Sequence, residues 1–161
     1  MPADVRLEVL GPHDWQAWRD LRLEGLLDTP IGFGRLYAEE SGFSDAQWRE
    51  AAQRPVLRVM AYDGDQAVGM AGGFVREDGK PTLYGVYVRP ASRGQGVLAL
   101  LVDHVASWCA PVPLRLDVHE DNHRAHAAYL KLGFVETGEV TVGGGIDGRD
   151  LLEMRRVPAP G

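Results

Sequence analysis

The sequence predicts a mixed α/β protein of the α+β type, in which helices flank a central sheet that is mostly antiparallel. Two short turns, Asp63-Gly64-Asp65 and Asp78-Gly79, separate apolar runs, which is the pattern of antiparallel hairpins. A third apolar run is followed by a helix pattern from Gly94 and then by another strand pattern, and such crossovers join parallel strands. The predicted element order is therefore β-α-α-β-β-β-α-β-α-β-β.

Composition places the chain among single soluble globular domains, because 161 residues with 45% hydrophobic and 25% charged side chains are average for that class. We therefore expect one domain over residues 1–161. No apolar run approaches the ~18 residues of a membrane span, and Met1-Pro2-Ala3-Asp4 lacks the start of a secretion signal. We expect a cytoplasmic protein without a membrane partner. The net charge of −6 argues against nucleic acid as a partner, and Cys109 is a lone cysteine that cannot form an internal disulfide.

The N-terminal third is predicted to hold one strand and two helices. Residues 5–10 form an apolar strand pattern, and Asp14 can cap a helix that Asp28-Thr29-Pro30 ends. Three glycines make residues 31–43 a predicted loop. Ser44 and Gln47 form a capping-box pattern that begins the second helix.

The remaining elements are predicted in the same way, from the spacing of apolar residues and from the proline and glycine residues that end a strand or helix. Pro90 stops the third hairpin strand, and Gly133 closes the last helix. Strands are predicted at 56–62, 67–75, 83–88, 113–119, 135–142 and 151–156, and helices at 94–110 and 122–132.

The loop Arg93-Gly94-Gln95-Gly96 lies between a strand and a helix, which is the place where free backbone amides bind phosphate. The same glycines could simply make a tight turn. The run from Gly94 to Ala99 also fits a dinucleotide-binding fingerprint, with Asp117 lying 21 residues beyond Gly96. That interpretation is disfavoured because 89–93 separate the strand from the first glycine and antiparallel hairpins precede it.

A second block, running from Leu114 to Phe134, contains Asn122 where a helix begins and Tyr129 seven residues later on the same face. The two blocks, in this order and spacing, resemble the two signatures of the GNAT superfamily of N-acetyltransferases over residues 83–138. The match departs from the family pattern at Ala91, which stands where glutamine or arginine is usual.

The resemblance implies a GNAT-like fold and acetyl-CoA as co-substrate. It implies that the amides of the loop hold the CoA pyrophosphate and that the backbones of Val86 and Val88 pair with the pantetheine arm. The resemblance also implies that Asn122 and Tyr129 line the same groove. The implied pyrophosphate-binding residues are Arg93, Gly94, Gln95, Gly96, Val97 and Leu98.

The implied reaction is direct transfer of the acetyl group to a primary amine of a small molecule or peptide. Such a transfer needs a base for the amine proton, polarisation of the carbonyl and a proton for the departing thiolate. We assign these roles to Asp117, to the amide of Val88 and to Tyr129. A module that binds acyl-CoA without turnover is the alternative, and a homodimer is compatible with the sequence.

Asp117 is one of several candidate bases. Strand alternation places Asp117 on one face with Arg115 and His119, so that a purely structural pair with either is an open alternative. Glu39, Glu40 or a chain of water molecules could also take the proton. No metal is predicted, because His119 lies on a strand whereas His123 and His126 flank a helix start, and the three would not converge.

Overall fold

Seven strands form one twisted sheet in a computed structural model that describes residues 4–158. Their bounds are β1 Val5–Val9, β2 Leu57–Asp63, β3 Gln66–Val75, β4 Pro81–Val88, β5 Leu114–His119, β6 Val135–Thr141 and β7 Leu151–Arg156. The sheet order is β1-β2-β3-β4-β5-β7-β6, and every neighbouring pair is antiparallel except β4 with β5. The mixed, mostly antiparallel sheet is confirmed. Residues 1–3 and the last three residues of the predicted tail at 157–161 lie outside the described part.

Five helices flank the sheet, with bounds α1 Trp15–Asp28, α2 Tyr37–Glu40, α3 Asp45–Ala52, α4 Val97–Cys109 and α5 His123–Lys131. Short 3-10 turns occupy Pro12–Asp14, Pro30–Gly32 and Pro90–Ser92. Within the described residues, no helix is both long and apolar enough to cross a membrane.

Two local details differ from the sequence prediction. The carboxylate of Asp14 does not cap α1 but accepts the N–H of Gly11 at 2.8 Å, inside the preceding 3-10 turn. The predicted loop at 31–43 contains α2, because Glu40 is drawn into the interior by a bidentate ion pair with Arg22 at 2.6 and 3.0 Å. The capping box is confirmed, with Ser44 and Gln47 exchanging hydrogen bonds of 2.8 and 3.2 Å.

The sheet has an apolar cluster on each face. α4 and α5 cover one face, where Leu101, Val105 and Phe134 pack against inward-facing strand residues. α1 covers the other face, where Trp18 and Leu21 pack against the sheet. Among the strands, α1 packs chiefly on β3 and β4.

A bulge in β4 opens the centre of the sheet. Between the pairs formed by Met70 with Tyr87 and by Gly72 with Tyr84, β4 carries one more residue than β3. Gly85, within this bulge, has φ +61°, a left-handed conformation that glycine adopts without steric cost. Only Thr82 and Arg115 pair in register between β4 and β5 in the described chain, so these parallel strands diverge beyond that point. The gap between them is the floor of the cleft described next.

Candidate active site

A cleft of about 520 Å³ lies between the diverging ends of β4 and β5. It extends from the β4–α4 loop, across the two strand ends, to the buried face of α5. The cleft contains nearly all of the predicted site residues: Val86, Val88, Arg93, Gly94, Gly96, Val97, Leu98, Asp117, Asn122 and Tyr129. Gln95 does not line it, and its side chain instead donates to the carbonyl of Ala91 at 3.3 Å.

The β4–α4 loop has the conformation that an anion site requires. Gly94 and Gly96 have φ values of +75° and +86°, and a Cβ on either would meet no atom within 4 Å. The first backbone amides of α4 have no partners inside the helix and point into the mouth of the cleft. The amide of Arg93 is already used, since it donates to Pro90 O at 3.3 Å. The free amides therefore begin after Arg93, one residue later than the resemblance implies.

The side chain of Arg93 is directed toward the protein. Its Nε donates to Val88 O at 2.9 Å, and its Nη2 donates to Asp28 at 2.8 Å. Arg124 and Lys131, on α5, also line the cleft and were missed in the sequence. Their separation by seven residues places them on one helical stripe, which is the signal that could have identified them. Because Asp28 neutralises Arg93, it is Arg124 and Lys131 that make this cleft locally positive in an acidic protein.

The backbone of Val88 faces the gap. Arg89 N–H donates to Val68 O at 2.9 Å, and ladder alternation therefore directs the N–H and carbonyl of Val88 away from β3. The carbonyl accepts from Arg93, whereas the N–H points toward β5. A donor in this position can polarise a carbonyl held between the strands.

Asn122 and Tyr129 lie on opposite ends of the α5 face that borders the cleft. The side chain of Asn122 caps the helix, accepting the N–H of Ala125 at 3.4 Å, and leaves its amide group toward the cleft. Tyr129 is buried and packs edge-on against Phe134, with ring centroids 5.6 Å apart. Burial raises the pKa of the Tyr129 phenol well above its ordinary value, so that the hydroxyl stays protonated at neutral pH.

Asp117 is the only carboxylate that lines this cleft among the described residues. It pairs with neither of its predicted structural partners, because Arg115 lies 3.4 Å from Glu153 and His119 bonds Asp147. The surrounding protein removes part of its hydration and raises the pKa of Asp117, an effect that Arg76 opposes. An exposed carboxylate of raised pKa can accept a proton from an ammonium group.

The other acidic candidates lie elsewhere. Glu40 is buried in its ion pair with Arg22, and Glu39 is exposed on α2; neither lines the cleft. The opposite wall comes from the turn after α1, through Thr29, Ile31 and Gly32; the sequence predicts a loop from residue 31 but names none of these three as site residues. This turn is brought to the cleft only by the packing of α1.

The three histidines do not converge. His119 Nε2 lies 2.7 Å from Asp147, while Nδ1 accepts the N–H of Asp121 at 3.0 Å. Because Nδ1 accepts that N–H, the proton on Nε2 is the one that faces Asp147, and this bond lowers the pKa of that carboxyl. His126 lies 3.5 Å from Glu136 on another surface.

Comparison with known proteins places this geometry in a family. The sequence pattern of the Acetyltransferase (GNAT) family matches residues 15–134, which is most of the chain. The chain belongs to the GNAT family of acetyltransferases. It is an acetyl-CoA-dependent N-acetyltransferase, and the alternative of a module without turnover is set aside.

Individual relatives within the GNAT family agree with this assignment. An aminoglycoside N(6')-acetyltransferase type 1 from Acinetobacter genomosp. 13 is 34% identical over 132 residues, which cover 73% of this chain and 90% of that protein. A GCN5-related N-acetyltransferase from Kribbella flavida has the same fold, with a TM-score of 0.74, 20% identity and coverage of 98% of this chain and 100% of that one. Arabidopsis thaliana Naa50, solved in complex with a bisubstrate analogue containing CoA, has a TM-score of 0.68, 20% identity and coverage of 97% and 100%.

The residues present fit a CoA molecule. The glycine loop leaves room for a diphosphate at the start of α4, and three cations line the cleft. Ala125 and Ala128 keep the α5 face shallow, so that a narrow arm can lie between the diverging strands. The dinucleotide interpretation is wrong, because β4 is preceded by antiparallel hairpins in a GNAT fold.

Proposed function

We propose that this acetyltransferase modifies a primary amine on a polycationic small molecule of the aminoglycoside type, using Asp117 as base and Tyr129 as acid. The observation that carries the catalytic part is the position of Asp117, the only cleft-lining carboxylate of the described residues, in the same cleft as Tyr129. The similarity to the aminoglycoside acetyltransferase, at 34% identity over 90% of its length, supports the acceptor class.

The charge around Asp117 also suits a cationic acceptor. Asp117 also lines a second cleft of about 580 Å³, which is formed by the β3–β4 turn and by residues of β5, β6 and β7. Carboxylates outnumber cations there: the ionisable lining consists of Arg76, Glu77, Asp78, Lys80, Asp117, Glu139 and Glu153. The positive lining of the first cleft and the acidic lining of the second would draw an anionic donor and a cationic acceptor to the two clefts that share Asp117.

The proposed mechanism assigns each step to a group of the chain. Acetyl-CoA supplies an activated acetyl thioester when bound. Asp117, directly or through water, takes a proton from the acceptor ammonium, and the amine nitrogen then forms its bond to the acetyl carbon. The N–H of Val88 stabilises negative charge on the carbonyl oxygen. Tyr129 donates its proton as the carbon–sulfur bond breaks, so that CoA leaves as the thiol. The second proton of the acylated nitrogen then returns to the Tyr129 phenolate, directly or through water, and Asp117 releases its proton to solvent.

An acceptor screen tests the substrate class. Purified protein with acetyl-CoA is offered an aminoglycoside with a 6′-amine, its analogue with a 6′-hydroxyl, a linear polyamine, an amino acid and a peptide with a free N-terminus. Release of free thiol is measured. We expect turnover with the 6′-amine and none with the 6′-hydroxyl analogue. Turnover confined to the polyamine, the amino acid or the peptide would overturn the assignment.

The remaining expectations belong to the same proposal. We propose that the chain works as one domain in the cytoplasm, without metal, nucleic acid or membrane. The net charge of −6 supports this view of its partners. A homodimer is also part of the proposal, and light scattering on the purified protein would measure the mass.

A further inference from the structure

Two acidic side chains attach the end of α1 to β4 and to the β4–α4 loop around Arg93–Gly96, which we call the phosphate loop. Asp28, the last residue of α1, accepts hydrogen bonds from Arg93 Nη2 at 2.8 Å and from the Tyr87 hydroxyl at 3.2 Å. Glu24, one turn earlier, accepts from Arg89 at 2.7 and 2.9 Å. It also lies 3.2 Å from the same hydroxyl, whose single proton can be donated to either carboxylate. The contacts join segments about 60 residues apart in the chain.

Arg93 connects this helix end to the centre of the cleft. Besides Asp28, it holds the carbonyl of Val88 through Nε at 2.9 Å, and its guanidinium lies 5.8 Å from the centre of the Tyr87 ring. The planar guanidinium of Arg93 is therefore hydrogen-bonded within the protein through both Nε and Nη2. Held in this way, Arg93 fixes the path of the chain between β4 and the glycines.

The opposite wall of the cleft begins at the next residue. Thr29, which follows Asp28, donates to Gly25 O through its amide at 2.8 Å and its hydroxyl at 3.2 Å. Thr29, Ile31 and Gly32 then line the cleft. The end of α1 therefore contacts the phosphate loop through the Asp28 side chain, and its backbone continues directly into the opposite wall.

We propose that Asp28 is a positioning residue that couples the phosphate loop to the opposite wall, acting through Arg93 without touching either substrate. The proposal rests on the placement of CoA in this cleft. The proposal predicts whether loss of Asp28 tightens or weakens CoA binding. Removing a carboxylate near a polyanion should by charge alone tighten binding. Removing the partner that orders Arg93 should instead weaken it.

Calorimetric titration with CoA compares wild type, Asp28→Ala, Arg93→Ala and the double variant. We expect each single variant to weaken CoA binding about tenfold, in line with loss of a charge-assisted hydrogen bond. The double variant should bind no more weakly than the worse single variant, because the two residues act as one unit. Asp28→Asn, which keeps an acceptor oxygen, should retain most of the affinity and serves if the alanine variant does not fold.

Steady-state kinetics provide the second readout. Asp28→Ala should raise the KM of acetyl-CoA, because the loop and the wall that it joins both line the CoA cleft, and should change the KM of the acceptor and kcat by less than about threefold. Asp103→Ala is the matched control, since Asp103 is a helix carboxylate bonded to Arg156 at 2.7 Å away from the cleft. It should leave both KM values unchanged.

The outcomes separate the two proposals. Equal or tighter CoA binding by Asp28→Ala, or effects of Asp28→Ala and Arg93→Ala that multiply in the double variant, would overturn the coupling role. Failure of the wild-type protein to bind CoA at all would contradict the proposed function instead.

Discussion

At the scale of single residues, burial determines which polar groups can take part in chemistry. Tyr129, on α5, packs against Phe134, and desolvation there raises the pKa of its phenol. Asp117 is exposed, with a pKa raised by partial loss of hydration. In the proposed mechanism Tyr129 is the proton donor, and the raised pKa makes Asp117 a stronger base than an ordinary carboxylate.

Tyr129→Phe should lower kcat at least tenfold and leave the Kd of CoA within about twofold of wild type, because general acid catalysis contributes ~10² or more. The ring and its contact with Phe134 are retained in this variant. Tyr62→Phe is the control, since Tyr62 lies on β2 outside the cleft. An unchanged kcat in Tyr129→Phe would exclude the acid role.

Asp117→Asn should remove the acidic limb of the pH profile of kcat, measured with both substrates saturating. In the wild type, activity should fall as the pH decreases through the raised pKa of Asp117, because the protonated carboxyl cannot accept a proton. In the variant, kcat should be at least tenfold lower at neutral pH and nearly independent of pH below it. Retention of the wild-type limb would assign the base to another group.

At the scale of elements, the site depends on two departures from regular structure. The bulge at Gly85 turns β4 away from β5 and opens the gap. The left-handed glycines of the β4–α4 loop then aim the start of α4 at the cleft. A regular strand and an ordinary turn would close both openings.

Gly94→Glu should reduce CoA affinity at least hundredfold in a calorimetric titration, because it adds a carboxylate where the diphosphate would lie. Gly64→Glu is matched for backbone strain, since Gly64 has φ +61° with no atom near its Cβ position and lies in the β2–β3 turn. This control should bind CoA like the wild type. Equal losses in the two variants would point to general strain rather than to an anion site.

At the scale of the whole molecule, stability and function rely on ion pairs between distant segments. Arg22 and Glu40 join α1 to α2 with side-chain exposures of 13% and 5%. Removing one member of a buried pair leaves the other charge without its partner, which is costly.

Glu40→Ala should lower the free energy of unfolding by about 3 kcal/mol, because Arg22 remains partly buried without a counter-ion. Urea denaturation measures the change. Glu39→Ala, at the exposed neighbouring position, should shift the free energy of unfolding by less than about 0.5 kcal/mol. Similar values for the two variants would show that the pair contributes little.

The sequence by itself determined most elements and the location of the cofactor loop. These features depend on local physics: apolar periodicity, the capping pair of Ser44 and Gln47, and glycines before a helix. The spacing of Asn122 and Tyr129 likewise placed both in one groove, because a helix repeats every 3.6 residues.

Only the tertiary structure decided the insertion of β7 between β5 and β6, the burial of Glu40 and the direction of the Arg93 side chain. It also brought Thr29 and Ile31 to the cleft and decided against both of the structural pairs that the sequence left open for Asp117. Each of these features depends on a partner that is remote in the chain. A local pattern specifies which groups are available, whereas long-range packing selects which of them meet.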